Sequence, residues 1–277
     1  MKAFVVVSYA SWVATDFEPC IDSSQWKLIR DYGFDVPENL NAYEGVAWWM
    51  NAQHAARLQR VGVAKSLTAP GSGWLSSVPE SLTGRKIYSS DLLEFLSWPS
   101  TYQCWVKPAE AKIDGFEAGW RSVADVWRIS SELNIPADSS VQWTESLLDL
   151  NHEYRFYVLN GEIQTGSQYL VDGITFYDGA DGSKMGEARA FADYATRVLG
   201  DNQPAAYTLD VGFDNISQRW ILIEGNPAWC SGIYGSNPAK ALTVIEHSCH
   251  MTLLNEKFKW IPDAYLKGIA DRKIALR

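Results

Sequence analysis

The sequence predicts an α+β fold. Strand-like and helix-like segments alternate along the 277 residues, and two hairpin patterns lie in the second half, one on each side of an amphipathic helix. The composition, 47% hydrophobic and 21% charged, is that of a folded protein. A chain of this length can bury a sizeable core in about one or two domains.

The charge balance excludes one class of partner and the hydropathy another. With 33 acidic against 24 basic side chains, the net charge of −9 would repel a nucleic-acid backbone. No stretch approaches the ~20 apolar residues that span a bilayer. The apolar run at residues 4–8 lacks a signal-peptide cleavage site. We therefore expect a cytoplasmic protein that binds neither nucleic acid nor membrane.

In the first block, residues 4–8 are predicted as a buried strand because they form a short apolar run. Residues 23–32 are predicted as a helix that ends at Gly33, and residues 41–61 as a longer helix with apolar positions near helical spacing. Pro, Gly and Ser make residues 68–79 a predicted surface loop.

In the second block, residues 91–96 are predicted as a short helix capped by Ser89 or Ser90. Residues 102–107 and 141–144 are predicted strands, and residues 120–126 are either a strand or a short helix.

The second half of the chain carries the strongest local signals. Asn160-Gly161 suits a type I′ turn and predicts a hairpin from residues 154–159 and 163–169. Residues 184–199 have helical periodicity and end at Gly200. A second hairpin is predicted from residues 205–212 and 219–224.

Two carboxylates lie in otherwise apolar strands of the second hairpin. Asp210 and Glu224 would repel each other unless a cation lies between them, and Asn226 shares the face of Glu224. Two carboxylates and an amide oxygen are hard ligands of the kind that Mg²⁺ takes together with phosphates. Two solvated acids next to a turn are the alternative.

Three charged residues accompany that pair. Lys107 ends a strand before a glycine-containing segment that could bind phosphates, although a lysine reaching solvent is the simpler explanation. Glu153 and Arg155 share one face of the first hairpin, where a structural salt bridge explains them equally well.

The order of these features resembles the ATP-grasp superfamily, and most closely its small stand-alone RimK-like members of bacteria and phages. The matching stretches cover about residues 85–240. They are Trp105-Val106-Lys107-Pro108, Glu153-Tyr154-Arg155-Phe156-Tyr157-Val158, Leu209-Asp210-Val211-Gly212 and Leu222-Ile223-Glu224-Gly225-Asn226-Pro227.

The resemblance implies roles for particular residues. Lys107 would contact the nucleotide phosphates, Glu153 the ribose hydroxyls, and Arg155 the γ-phosphate and an acyl-phosphate. Lys107 and Arg155 would be the catalytic residues, because they would supply positive charge where negative charge develops. Asp210, Glu224 and Asn226 would be the Mg²⁺ ligands. Lys112 and Phe116 would belong to the phosphate loop. The adenine-binding hinge would be residues 141–147, with Gln142, Trp143, Thr144 and Glu145.

The resemblance also implies the domain organisation. Residues 1–85 would be a small α/β domain, and residues 86–277 an ATP-grasp domain whose two subdomains grip ATP, at about 86–140 and 141–277. The loop at residues 109–119 has fewer glycines than is usual in the family, and the second family lysine or arginine has no clear match, with Arg85 or Lys86 as the nearest.

The function so implied is that of an ATP-dependent carboxylate–amine ligase. It would form an amide or peptide bond through an acyl-phosphate, using ATP with Mg²⁺ or Mn²⁺, on small-molecule or peptide substrates. A homodimer is left open. Two alternatives remain: an inactive ATP-binding regulatory module, and an ATP-grasp phosphotransferase.

Overall fold

The computed structural model describes residues 1–8, 10–32, 36–179, 182–250 and 253–271. The chain divides into two compact units. The larger unit consists of Met1–Pro70 and Asp149–Trp260, and the smaller unit of Gly71–Leu148 and Ile261–Arg277. The chain passes between them at residue 148, directly after the predicted hinge. The three-part domain division stays a prediction.

The strands and helices are numbered in chain order. The strands are β1 Lys2–Val7, β2 Trp26–Asp31, β3 Val46–Met50, β4 Tyr88–Asp91, β5 Gln103–Pro108, β6 Gly119–Ser122, β7 Ser140–Thr144, β8 Leu150–Leu159, β9 Glu162–Val171, β10 Ile174–Thr175, β11 Ala206–Asp214 and β12 Arg219–Asn226. The helices are α1 Ser11–Phe17, α2 Ala52–Arg60, α3 Trp74–Ser77, α4 Glu80–Thr83, α5 Leu92–Leu96, α6 Val123–Glu132, α7 Met185–Leu199, α8 Pro238–Ser248 and α9 Ala264–Asp271.

The larger unit contains two sheets. The first is parallel, with strand order β2-β1-β3, and the second is antiparallel, with order β10-β9-β8-β11-β12. Helix α7 packs on the second sheet, and α8 packs on both β3 and that sheet. The central strand β11 is buried almost throughout because β8 and β12 flank it and helices cover it.

The smaller unit is built on an antiparallel sheet of order β4-β7-β5-β6 with α5 and α6 packed against it. Helix α6 begins with a capping box, in which Ser122 accepts from the Asp125 amide while Asp125 accepts from the Ser122 amide. The core of this unit centres on Trp143, which stacks on Tyr88 and meets Phe95 edge-on.

Several predicted elements are confirmed. The strand at residues 4–8, both hairpins, the helix at residues 184–199 and the strands at residues 102–107 and 141–144 all form, with small shifts at their ends. At the first hairpin turn, Asn160 and Gly161 both have positive φ, 50° and 78°, as a type I′ turn requires.

Other predictions are wrong. Residues 26–31 form strand β2 because pairing with β1 outweighs their local pattern, and Gly33 lies outside the described residues. Residues 41–61 contain β3 before α2, since β3 also pairs with β1. Helix α5 is capped by Asp91, whose side chain accepts from the Glu94 amide.

One further segment differs from its prediction, and another combines the two alternatives left open for it. The predicted loop at residues 68–79 contains the short helix α3, which buries Trp74 and Leu75. Residues 120–126, left open between strand and helix, end β6 and begin α6. In the described part of the chain, no helix combines the length and apolar character that a membrane crossing requires.

Candidate functional site

One row of charged side chains crosses three neighbouring strands of the larger unit. Arg155 on β8 is paired with Asp210 on β11, and Asp210 is paired with Glu224 on β12. Residues paired across neighbouring strands project from the same face of a sheet. The sheet register therefore brings together a cation and two carboxylates that are far apart in sequence.

Arg155 and Asp210 form a buried, two-pronged ion pair. The Arg155 Nε donates to Asp210 Oδ1 at 2.8 Å, and its Nη2 donates to Oδ2 at 2.6 Å. Asp210 is fully buried and the Arg155 side chain is 11% exposed. Asp210 raises the pKa of Arg155 well above its usual value, against the opposing effect of burial. The guanidinium is therefore a fixed positive charge.

Asn226 joins the two carboxylates. Its amide nitrogen donates to Asp210 Oδ2 at 3.1 Å and to Glu224 Oε1 at 2.9 Å. The assignment of nitrogen and oxygen in an amide follows from such hydrogen bonds, and a half-turn of the Asn226 amide would present its oxygen instead. Asn226 thus lies within hydrogen-bonding distance of both other predicted metal ligands.

The donor set fits a divalent cation of the Mg²⁺ type. Carboxylate and amide oxygens are the ligands such ions prefer, and these two carboxylates already share a positively polarised N–H₂ group. Within the described ranges, no cluster of three or more His, Cys, Asp or Glu side chains could hold a metal. An ion held by Asp210, Glu224 and Asn226 would therefore need further oxygen ligands, and phosphates are suited to supply them.

Glu153 lies two residues before Arg155 on the same strand. Its Oε2 accepts from the Tyr169 hydroxyl at 2.5 Å. Burial raises the pKa of the Glu153 carboxyl, with Asp210 and Glu224 acting in the same direction, whereas the Tyr169 hydrogen bond and Arg155 lower it. Glu153 therefore belongs to the same network as the charged row.

Two tyrosines that the sequence analysis did not select lie against Arg155. The rings of Tyr169 and Tyr234 stack with centroids 5.0 Å apart, and each centroid lies 5.4 Å from the guanidinium carbon. Tyr169 lies at a register shift of the hairpin, between the pairs Glu153–Leu170 and Tyr154–Gln168, so an unbroken register would not have placed it beside Glu153. No local signal in the sequence places Tyr234, which follows β12 in a loop.

The remaining predicted site residues lie in the smaller unit. Lys107 on β5 is paired with Gln142 on β7. Gln142 is buried, and its amide nitrogen donates to the carbonyl of Ser72 at 2.7 Å. The register thus brings Lys107 beside one of the predicted hinge residues.

The other hinge residues differ in exposure. Trp143 and Thr144 are buried, and Thr144 Oγ1 accepts from the Ser146 amide at 3.2 Å. Glu145 is exposed and accepts from the Tyr102 hydroxyl at 2.8 Å. Strand β7 lies between β4 and β5 and is paired with both over residues 141–143, so the backbone there is already hydrogen-bonded within the sheet. The adenine contact of this segment stays a prediction of the resemblance.

The segment between β5 and β6 carries Lys112, which is exposed, and Phe116, which is buried at 1% exposure. The Arg121 guanidinium lies over the Phe116 ring at 5.9 Å. Phe116 therefore anchors this loop to its own unit, and Lys112 is the loop side chain placed to meet an anion from solvent.

The family of the chain follows from its sequence. Residues 82–244 match the model of an ATP-grasp domain, R2K clade family 2. Since this match covers more than half of the sequence, the chain belongs to that family and has the ATP-grasp fold. The resemblance to the ATP-grasp superfamily is thereby confirmed. No curated protein sequence matches the chain.

Solved structures give a distant likeness. A D-alanine–D-alanine ligase from Bacillus anthracis, complexed with ATP, is 11% identical with a TM-score of 0.48, over 90% of this chain and 96% of that one. The ligase from Coxiella burnetii is also 11% identical, with a TM-score of 0.49, over 90% and 95%. At TM-scores below 0.5 these likenesses add nothing to the assignment.

Proposed function

We propose that this protein is an ATP-dependent carboxylate–amine ligase that acts in the cytoplasm and requires Mg²⁺. The observation that carries the proposal is the row Arg155–Asp210–Glu224, closed by Asn226, within the segment that matches the ATP-grasp family. A protein that only binds nucleotide has no need of a buried arginine held beside two carboxylates. Phosphoryl transfer uses fixed positive charge beside the phosphates and carboxylates that hold the metal ion.

The proposed reaction has two steps. An oxygen of the substrate carboxylate attacks the γ-phosphorus of ATP, and the bond from that phosphorus to the bridging oxygen of ADP breaks, which yields an acyl-phosphate. The nitrogen of an amine then attacks the acyl carbon, phosphate leaves, and the nitrogen loses a proton. The products are an amide, ADP and phosphate.

The residues of this chain would bind and orient the reactants. Arg155 presents a guanidinium to the negative charge that develops on the transferred phosphoryl group, and Lys107 and Lys112 contact the phosphates. Glu153 accepts hydrogen bonds from the ribose hydroxyls. Mg²⁺, held by Asp210, Glu224 and Asn226, would supply positive charge to the β- and γ-phosphates.

The experiment is an assay of phosphate release by the full chain with ATP and Mg²⁺. Pools of amino acids and short peptides are added with and without hydroxylamine, which converts an acyl-phosphate into a stable hydroxamate. We expect phosphate release that depends on a carboxylate, and a hydroxamate with the mass of that acid. The matched control is Glu224→Gln, which keeps the shape of the side chain and removes its charge.

Other outcomes would favour the alternatives. A stable phosphorylated product that hydroxylamine leaves unchanged would indicate a phosphotransferase. Tight ATP binding without any turnover across the pools would indicate the regulatory module. Either result would overturn the proposed ligase reaction.

A further inference from the structure

The loop that follows β12 is anchored at both ends and carries Tyr234 between the anchors. At its start, the carbonyl of Ser231 accepts from the Tyr157 hydroxyl at 2.9 Å and from Trp49 Nε1 at 2.8 Å. At its end, the Asn237 amide donates to Thr165 Oγ1 at 2.9 Å. The backbone on either side of Tyr234 is therefore held in place.

Tyr234 has an unfavourable backbone conformation. Its φ is +49°, in the left-handed region where asparagine and glycine are common and a bulky side chain is strained. The loop cannot relax easily, because the neighbouring Gly235 packs so closely that an added Cβ would lie 2.7 Å from the carbonyl oxygen of Asp178. A large aromatic residue at such a position points to a use for its ring.

The ring of Tyr234 is directed at the charged row. It stacks on Tyr169 at an interplanar angle of 17°, and both centroids lie 5.4 Å from the Arg155 guanidinium carbon. Tyr169 is in turn fixed by its hydrogen bond to Glu153. Asp210 accepts two hydrogen bonds from the guanidinium, and the rings of Tyr169 and Tyr234 make cation–π contacts with it. The orientation of Arg155 is therefore determined by several contacts.

We propose that Tyr234, stacked on Tyr169, is a positioning residue that fixes the Arg155 guanidinium toward the γ-phosphate of bound ATP. The inference rests on the proposed function in one respect, namely that Arg155 meets the γ-phosphate. The strained loop residue is then explained, because asparagine or glycine would fit the backbone better and would leave Arg155 with a single partner ring.

The test compares two nucleotides rather than turnover. Dissociation constants for ADP and for β,γ-imido ATP, both with Mg²⁺, are measured on the full chain. The constant for ADP divided by the constant for the analogue reports how much the γ-phosphate contributes to affinity. In Tyr234→Asn, which suits the left-handed backbone and removes the ring, we expect the analogue to bind about tenfold more weakly while ADP binding changes less than about twofold. Tyr234→Phe keeps the ring and should retain the original ratio.

The matched control is Gln218→Asn. Gln218 also has a positive φ, +53°, but lies exposed in the turn between β11 and β12, so its substitution should leave both constants unchanged. If Tyr234→Asn does not fold, Tyr169→Leu removes the other ring and should lower the ratio in the same way.

The outcomes separate this inference from the proposed function. An unchanged ratio in folded Tyr234→Asn or Tyr169→Leu would overturn the positioning role and leave the ligase proposal intact. If the unmodified chain bound neither nucleotide, the proposed function would fall, and the inference with it. A selective loss of affinity for the analogue, restored in Tyr234→Phe, supports the positioning role.

Discussion

The candidate site residues form two groups of opposite character, one in each unit of the chain. In the larger unit, Arg155, Asp210, Glu224 and Asn226 bond to one another, and both partners of the ion pair are nearly or fully buried. In the smaller unit, Lys107 lies at the end of a strand beside Gln142, and Lys112 is exposed on a loop. The side chains of the first group hold one another in place, whereas the two lysines of the second group lie on different elements, one on a strand and one on a loop.

Under the proposed function, this difference predicts that the residues of the larger unit act in catalysis and those of the smaller unit in nucleotide binding. A buried network loses much of its stability when one member is removed, because a charge or polar group is left unpaired at low dielectric. The exposed Lys112 contributes mainly when a ligand arrives, and solvent screens it until then. Substitutions in the larger unit should therefore affect stability and catalysis, and those at the two lysines should affect affinity.

Asp210→Asn should have the largest effect. It removes the counter-charge of a buried arginine, so we expect the free energy of unfolding to fall by about 3–5 kcal/mol and ATP-dependent turnover to be lost. Urea unfolding followed by tryptophan fluorescence measures the first quantity. The double variant Arg155→Gln/Asp210→Asn, which leaves no unpaired charge, should regain part of the stability but no turnover. A change below about 1 kcal/mol in the single variant would show that the ion pair does not stabilise the fold.

Glu224→Gln should separate catalysis from stability. The glutamine oxygen can still accept from Asn226, so the free energy of unfolding should change by less than about 1 kcal/mol. Turnover should fall by about 10²- to 10³-fold, because a charge next to the reacting phosphates is lost. Phosphate release at increasing Mg²⁺ concentration measures this. The control is Glu162→Gln, an exposed carboxylate on β9. Equal turnover in the two variants would remove Glu224 from the site.

A buried carboxyl in the smaller unit tests whether charge affects the stability of that unit as well. Glu110 accepts from the Ser72 amide at 3.1 Å, and burial, with the nearby Asp263, raises its pKa to about 7. A raised pKa means that the folded state favours the protonated acid. The stabilisation by protonated Glu110 is therefore complete below about pH 4.5 and is lost as the pH rises through about 7.

Glu110→Gln should abolish that dependence. The amide stays neutral, so the variant and the original chain should be about equally stable near pH 5, and the variant should be more stable near pH 8 by up to about 3 kcal/mol. Melting temperatures of both proteins at the two pH values measure the difference. Glu117→Gln, at a carboxylate on the surface of the same loop, serves as the control. Parallel pH profiles for Glu110→Gln and the original chain would contradict the shifted pKa.

What the sequence could predict depends on how local the determining contacts are. The hairpin from β8 to β9 follows from Asn160-Gly161, because two residues with positive φ are enough to specify the turn. Strands β2 and β3 could not be predicted in the same way, because both exist through parallel pairing with β1. Helix-like spacing over a few residues is a weak signal against such tertiary pairing.

The same distinction applies to the site. Asp210, Glu224 and Asn226 could be predicted to lie at the same end of one hairpin. That Asp210 and Glu224 share a face depends on a register shift between Asp210 and Val211, because an unbroken register would pair Asp210 with Ile223. The bidentate bond between Arg155 and Asp210 needs the register of β8 against β11, which is not encoded in any single segment. The placement of Tyr234 depends on a loop conformation that its own residue type disfavours, so a local pattern could not have predicted it.

Substitutions of Lys107 and Lys112 should have the smallest effects. The order of their two affinity losses tests whether a lysine on a strand binds phosphate more strongly than a lysine on a loop. Lys107→Met keeps an apolar stem at the end of β5, so the sheet should be preserved while a charged hydrogen bond to phosphate is lost. We expect affinity for β,γ-imido ATP to fall by about 10- to 100-fold, which corresponds to about 1.5–3 kcal/mol. Lys112→Met removes a charge that is exposed on its loop, and solvent screening should limit the loss to less than about fivefold. Calorimetric titration of both variants under the same Mg²⁺ conditions measures the two losses. If Lys112→Met weakened binding as much as Lys107→Met, the Lys112 side chain would contact the phosphates as closely as Lys107 does. The expected difference between the loop lysine and the strand lysine would then be wrong.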